Sequence, residues 1–143
     1  MDLVVLLNTV NLTSGAGFLL ARAAGCTVRR RDRFWEATGY SWSQPRAAAF
    51  TVGCVVLSRR PVSEVVWQHE QAHVRQYAVL GPAFWPAYAL AAGWSWLRTG
   101  DWWSRNAFER GAGLTAGGYV ERPVRRFGRR SRGDVPAAGP VSA

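Results

Sequence analysis

The chain has little of what most metal or redox proteins use. It has two cysteines and two histidines in 143 residues, and no lysine. Cys26 and Cys54 are too few and too far apart for a disulfide framework or a cysteine-based zinc site. Each reads as a small buried hydrophobe, and a reducing cytoplasm fits. The absence of lysine leaves all 18 cationic side chains as arginine, which with the abundant Ala and Gly suggests a GC-rich genome. No internal repeat is visible, which argues against a solenoid. A secretory signal is not expected either. Residues 3–21 are apolar but interrupted by Asn8, Thr9, Asn11, Thr13 and Ser14, and Asp2 stands where a positive n-region would be.

What is present suits a globular domain. Hydrophobic residues make up 48% of the chain, enough for one domain with a single core. The net charge of +9 is unevenly placed. Residues 1–121 carry 12 Arg against 8 acidic residues, a balance of +4; residues 122–143 carry 6 Arg against Asp134 alone, a balance of +5. That second stretch is rich in Arg, Gly, Pro, Ser and Ala. It is expected to be a disordered tail following a domain that ends at residue 121. Its arginines could touch nucleic acid or anionic lipid without specificity, but a solubilising tail without a specific nucleic-acid partner is the simpler reading. The run Arg29, Arg30, Arg31 and Arg33, broken by Asp32, reads as a polar hairpin.

Both histidines fall in one five-residue motif, His69-Glu70-Gln71-Ala72-His73. Residues i and i+4 of a helix share a face about one turn apart, so the two imidazoles can hold one Zn²⁺ at ~2.0–2.1 Å each. The intervening Glu70 can reach a metal-bound water and take its proton. The surroundings are helical. Pro61 suits a first helical position, no Gly or Pro intervenes from Val62 to Leu80, and Gly81-Pro82 stops the helix. Val62, Val65, Val66, His69, Ala72, His73, Gln76 and Leu80 follow the spacing of one stripe, with Glu64, Gln68, Gln71 and Arg75 on another. The histidines thus continue an apolar face.

A catalytic zinc takes three protein ligands and leaves one position for water. With no third histidine, the remaining ligand must be Cys, Asp or Glu. Asp134 lies in the expected tail. Asp101, in Thr99-Gly100-Asp101, suits a helix cap. Glu109 lies in the helix-compatible stretch Asn106-Ala107-Phe108-Glu109-Arg110 and is the favoured ligand. Glu121, Asp101 and Cys54 remain open, and a Glu109 merely paired with a nearby arginine is the alternative to a metal role.

An HExxH helix followed a few dozen residues later by Asn-x-x-Glu resembles the gluzincin metallopeptidases, of which thermolysin is the best-known member; this likeness extends at most from Val62 to Gly113. Asn11-Leu12-Thr13-Ser14, Phe50-Thr51-Val52-Gly53, Val55-Val56-Leu57, the HExxH segment with Arg75-Gln76-Tyr77, Gly81-Pro82 and Asn106-x-Phe108-Glu109-Arg110 also resemble a group of small actinobacterial HExxH proteins presumed to be peptidases. The resemblance implies His69, His73 and Glu109 as zinc ligands, Glu70 as general base, and a peptide or protein substrate. Gluzincins often place an Asp four residues after the third ligand to orient a zinc histidine. Here that position is Gly113, so that support must come from elsewhere.

The expected fold class is α+β: a small antiparallel β-meander followed by a zincin-type helical half. A short apolar element runs to about Val10, and Thr13 or Ser14 caps a helix ending at Gly25. Strands are expected at Thr27–Arg30, Phe34–Ala37, Ala47–Thr51 and Val55–Leu57, with turns at Arg31-Asp32, Gly39 and Val52-Gly53. An edge strand could align an extended substrate. The uncharged segment Tyr77–Leu97 is long enough to span a bilayer. Pro82, Pro86 and Gly93 interrupt it, and a span would carry Arg98 too far away for Glu109 to return to the metal. It therefore reads as a buried helix, with in-plane membrane contact through its aromatic residues as the other option. The functional expectation is a zinc metallopeptidase with Tyr77, Tyr119, Arg75 and Arg110 as candidate oxyanion donors. The alternative is a non-catalytic, zinc-stabilised binding module whose Arg-rich tail contacts nucleic acid or anionic membrane.

Overall fold

A computed structural model describes residues 2–125. It is α+β, with a four-stranded mixed sheet and flanking helices. Helix α1 (Leu3–Val10) starts where the Asp2 carboxylate accepts the Val4 N–H at 2.9 Å. Helix α2 (Thr13–Ala23) follows after a sharp bend. Neither Thr13 nor Ser14 is its cap, contrary to expectation. The Asn11 side chain accepts the Thr13 N–H at 3.1 Å and the Thr13 hydroxyl at 2.6 Å. Leu12 makes the turn in the left-handed region, at φ 67°, which costs a non-glycine residue about 1–2 kcal/mol.

The strands are β1 (Thr27–Arg31), β2 (Phe34–Thr38), β3 (Ala49–Val52) and β4 (Val55–Ser58), in spatial order β1-β2-β4-β3. The expected antiparallel meander is corrected at one point: β4 lies between β2 and β3 and runs parallel to β2, Trp35 opposite Val55. The other two pairings are antiparallel. The reason is visible in β4. Val55, Val56 and Leu57 are all fully buried, an unbroken apolar run that needs cover on both faces and therefore takes the inner position. The connection 39–48 is long enough to carry the chain to the far edge first.

Each sheet face has its own core. On one, Ala21 of α2 and Ala24 just after it meet Ala37, Val52, Val55 and Leu57. Gly17 lets α2 approach closely, since a Cβ there would collide with the Val52 carbonyl oxygen. On the other face, Phe34, Ala49, Cys54 and Val56 pack against Trp67 and Val74 of helix α3 (Glu64–Leu80). The Trp67 indole N–H is satisfied by Asp32 at 2.8 Å. Helix α1 lies along α3, with the Asn8 amide donating to the Val74 carbonyl at 3.0 Å.

Helix α3 begins at Glu64 with Ser63 as cap, three residues after the Pro61 start expected. Its buried face also differs from the expected stripe. Trp67, His69, Glu70, His73, Val74, Tyr77 and Ala78 are buried, while Val65 is exposed. The sheet, α1 and the following helix enclose α3 from several sides, so burial there is wider than one aliphatic stripe.

A 3₁₀ turn (Gly81–Ala83) leads to α4 (Phe84–Thr99). The expectation that this segment is a buried helix is not met. Only Phe84 and Ser95 of α4 are buried, because neighbouring helices cover one side alone. Among the described residues no single helix is long and apolar enough to cross a membrane; α1 and α2 meet that test only together, across a 78° bend. Helix α5 (Ala107–Ala112) carries Glu109. Beyond it the chain stays attached past the expected domain boundary at residue 121. The Arg122 N–H donates to Ser104 Oγ at 2.6 Å and the Arg125 N–H to the Arg98 carbonyl at 2.7 Å. The rest of the expected tail, residues 126–143 with Asp134, lies outside the described residues.

Candidate metal centre

His69 and His73 are one turn apart on α3, and their Nε2 atoms are 3.2 Å apart. Glu109 reaches them from α5, whose start is fixed by Asn106 Oδ1 accepting the Phe108 N–H at 3.0 Å. Glu109 Oε2 lies 3.3 Å from His69 Nε2 and 3.7 Å from His73 Nε2. Ligand atoms bound tetrahedrally to zinc at ~2.05 Å stand about 3.3 Å from one another. The three atoms therefore already span one face of such a coordination shell. All three residues are buried, and they are the group among the described residues that could hold a metal ion.

The surrounding hydrogen bonds assign the tautomers. His69 Nδ1 faces the Gly113 carbonyl at 3.1 Å, so it carries the proton and leaves Nε2 with a lone pair. His73 Nδ1 faces Gln76 Oε1 at 2.8 Å. The Gln76 amide cannot be reversed without losing a second bond, because its Nε2 donates to the Phe108 carbonyl at 3.0 Å. Both Nε2 lone pairs thus point at one place. Glu109 Oε1 accepts the Tyr88 hydroxyl, while Oε2 is buried with no hydrogen-bond partner. Two converging lone pairs beside an unpartnered buried carboxylate oxygen repel one another unless a cation sits among them. These donors fit a metal ion.

Without a metal, the neighbouring carboxylates favour a protonated His69. Burial disfavours a charged His69, but the adjacent Glu109 carboxylate and the charge of Glu70 outweigh it and raise the imidazole pKa. Burial would likewise raise Glu109. The adjacent His69 and His73 imidazoles and the Tyr88 hydroxyl hold it instead at about 2.

Glu70 lies toward the sheet. Its Oε2 accepts the Thr51 hydroxyl from β3 at 2.7 Å. Burial pushes its carboxyl pKa up, against the Thr51 bond and the two histidines, the direction that suits a group which must take and return a proton. On the opposite side, the segment from Gly113 to Tyr119 crosses the centre. A Cβ at Gly117 would lie 2.5 Å from His69 Cε1 and 2.8 Å from Nε2, so only glycine lets the strap pass. Tyr119 sits 6.3 Å from the His69 ring and stacks on Trp103. The centre is closely covered: His69 is 3% exposed and His73 6%.

No protein-family model, curated protein or solved structure matches this chain.

The other sequence candidates lie elsewhere. Asp101 Oδ1 accepts the Trp103 and Ser104 N–H groups, as a cap does. Glu121 pairs with Arg105 and Arg110 at 3.1 and 3.0 Å. Cys54 contacts Ser14 in the core. Of the suggested oxyanion donors, Arg110 is engaged by Glu121 and Arg75 is exposed. Tyr77 has a buried hydroxyl without a partner, and burial with nearby carboxylates keeps Tyr77 and Tyr119 protonated. Sequence reasoning missed Thr51, Tyr88, Gly117 and the histidine-orienting role of Gln76. Only Gln76 left a signal, three residues after His73 on the same helix face. The orienting contact expected from an Asp at that position comes from Gly113 itself, whose backbone carbonyl faces His69 Nδ1.

Proposed function

We propose that this chain is a zinc-dependent hydrolase of the gluzincin type, acting on peptide bonds. The observation that carries the reading is the convergence of the His69 and His73 lone pairs with the unpartnered Glu109 oxygen, beside a Glu70 whose pKa is raised. His69, His73 and Glu109 would hold the ion, which supplies charge to polarise a carbonyl and acidify water. Glu70 accepts the proton of the attacking water and returns it to the departing amine. Thr51 holds the Glu70 carboxylate in place for both transfers. Tyr119 or Tyr77, both protonated, is the available neutral donor to the developing oxyanion. Because the centre is covered, a substrate enters only if the Gly113–Tyr119 strap moves.

That same cover favours a second reading, a zinc-stabilised binding module with no turnover. Two measurements separate them. Glu70→Gln keeps all three ligands, so it should retain stoichiometric metal while losing about 10²–10⁴-fold in hydrolysis of any cleaved peptide. Equal turnover by both proteins removes Glu70 from the mechanism. Cobalt-substituted protein should change its visible spectrum when a hydroxamate is added, since an enzyme keeps an open coordination position. An unchanged spectrum supports the binding module.

A further inference from the structure

The surface of α4 is inverted. Phe84, Tyr88 and Ser95 face the protein, while Trp85, Leu90, Trp94, Trp96 and Leu97 are exposed. No charged residue occurs between Arg75 and Arg98, so nothing on this outer face suits water. A helix apolar all round is normally covered on all sides. The α1–α2 bend extends the face at the start of α4. Asn11 packs against Gly81 and its amide donates to the Tyr77 carbonyl at 3.1 Å. Beside Asn11, Val10 and Leu12 are 70% and 75% exposed, and Val79 near Gly81 is 81% exposed. The chain is again uncharged between Asp2 and Arg22. Leu12 is displayed there despite its left-handed backbone.

The other end of α4 has the opposite character. Trp94, Arg98, Arg105, Ala107, Arg110 and Val124 line a cavity of about 500 Å³. Glu121 neutralises part of this charge through Arg105 and Arg110, leaving three arginines against one carboxylate. Arg98 lies over the Trp94 ring at 5.4 Å. Apolar helix face and basic cavity share Trp94 and form one surface.

We propose that this surface docks on an anionic lipid bilayer, with α4 in the plane of the interface, the Leu and Trp side chains at the acyl boundary, and the arginine cavity over headgroup phosphates. Charge complementarity selects this occupant. A second copy of a chain carrying +9 would bring arginine against arginine at the rim, whereas phosphate is drawn to it. Amphipathic in-plane helices bind by this combination of buried apolar area and basic flank, and Trp favours the interfacial depth.

The test is flotation of full-length, metal-loaded protein with vesicles of phosphatidylglycerol and phosphatidylcholine in equal parts, against phosphatidylcholine alone. Wild type should bind the anionic vesicles, and brominated acyl chains should quench its tryptophan fluorescence. Leu90→Glu with Trp94→Glu should reduce binding at least tenfold. Arg98→Gln with Arg110→Gln should reduce it by roughly fivefold per arginine and flatten its salt dependence. Arginines beyond residue 125 are present in every variant, so differences between variants report this face. Unquenched fluorescence at saturating vesicles, or undiminished binding by the glutamate variant, overturns the proposal. So does concentration-dependent self-association of wild type that the glutamate variant abolishes, which would assign the face to a second copy.

Discussion

Helices α3 and α4 are consecutive in the chain and opposite in design. Helix α3 buries His69, Glu70 and His73, while Val65 and Val79 stay exposed. Helix α4 has almost no ionisable residues, yet it turns its tryptophans and leucines outward. Hydropathy alone would place the two the other way round. Position decides instead: α3 is enclosed by the sheet and its neighbouring helices, and α4 is covered on one side. Each inversion has a cost, desolvation for α3 and exposed apolar area for α4. In α3 a cation held among the converging ligand atoms would offset that cost, and on α4 the offset is the proposed lipid contact.

Substitutions should separate the two helices by size of effect. The largest belongs to the α3 core. Trp67→Ala empties a fully buried site and should cost about 3–5 kcal/mol in chemical denaturation. A loss below 1 kcal/mol would mean that this face of the sheet is loosely packed.

Metal removal comes next. At metal concentrations a hundredfold above Kd, the ion stabilises by about 2.7 kcal/mol, so a chelator should lower Tm by roughly 10 °C for a domain of this size. Glu109→Ala should show the same low Tm with or without zinc. The pH dependence should change sign with the metal. His69 in the metal-free protein has a raised pKa, so its pairing with Glu109 stabilises fully below the ordinary value of 6.5 and is lost as pH rises through the raised value. Zinc needs the neutral imidazole and the unfolded histidine takes up a proton below 6.5, so the loaded protein should lose stability as pH falls through that ordinary value. Parallel slopes for the two forms would show that His69 does not bind the ion.

Smaller effects are expected one bond further out. Gln76→Ala frees His73 Nδ1 and should weaken zinc binding by about 10–100-fold, measurable by competition with a chromogenic chelator. The smallest belongs to the outer face of α4. Leu90→Glu should leave thermal stability within about 0.5 kcal/mol of wild type in the absence of vesicles. A large loss would mean that the face is covered in solution, and would end the contrast between the two helices.

How much of this was legible in the sequence follows from how local each feature is. The His69–His73 pairing is set by helix geometry over four residues, and the Asn106–Arg110 stretch declares its own helix. The order of the strands was not legible. Whether β4 sits at the edge or inside depends on the cover each face receives, and the alternation expected of a meander does not apply to the unbroken Val55-Val56-Leu57 run. Nor could periodicity find the start of α3, where Pro61 offered an allowed beginning but Ser63 made the cap. The support around the metal centre lay furthest out of reach. Tyr88 arrives from another helix, and at Gly113 the working atom belongs to the backbone, which every residue type shares.

Tyr88 gives α4 a double membership. Its hydroxyl bonds Glu109 on the inner side of the helix whose outer side carries the proposed lipid contact. The two proposed ligands, an ion and a surface, would then share one structural element. Thermodynamic linkage makes any such coupling reciprocal: if docking shifts α4 so that zinc binds α-fold more tightly, zinc must tighten docking by the same factor. Measuring zinc affinity with and without vesicles, and vesicle affinity with and without zinc, gives two numbers that have to agree. The Tyr88→Phe change should bring both ratios toward one.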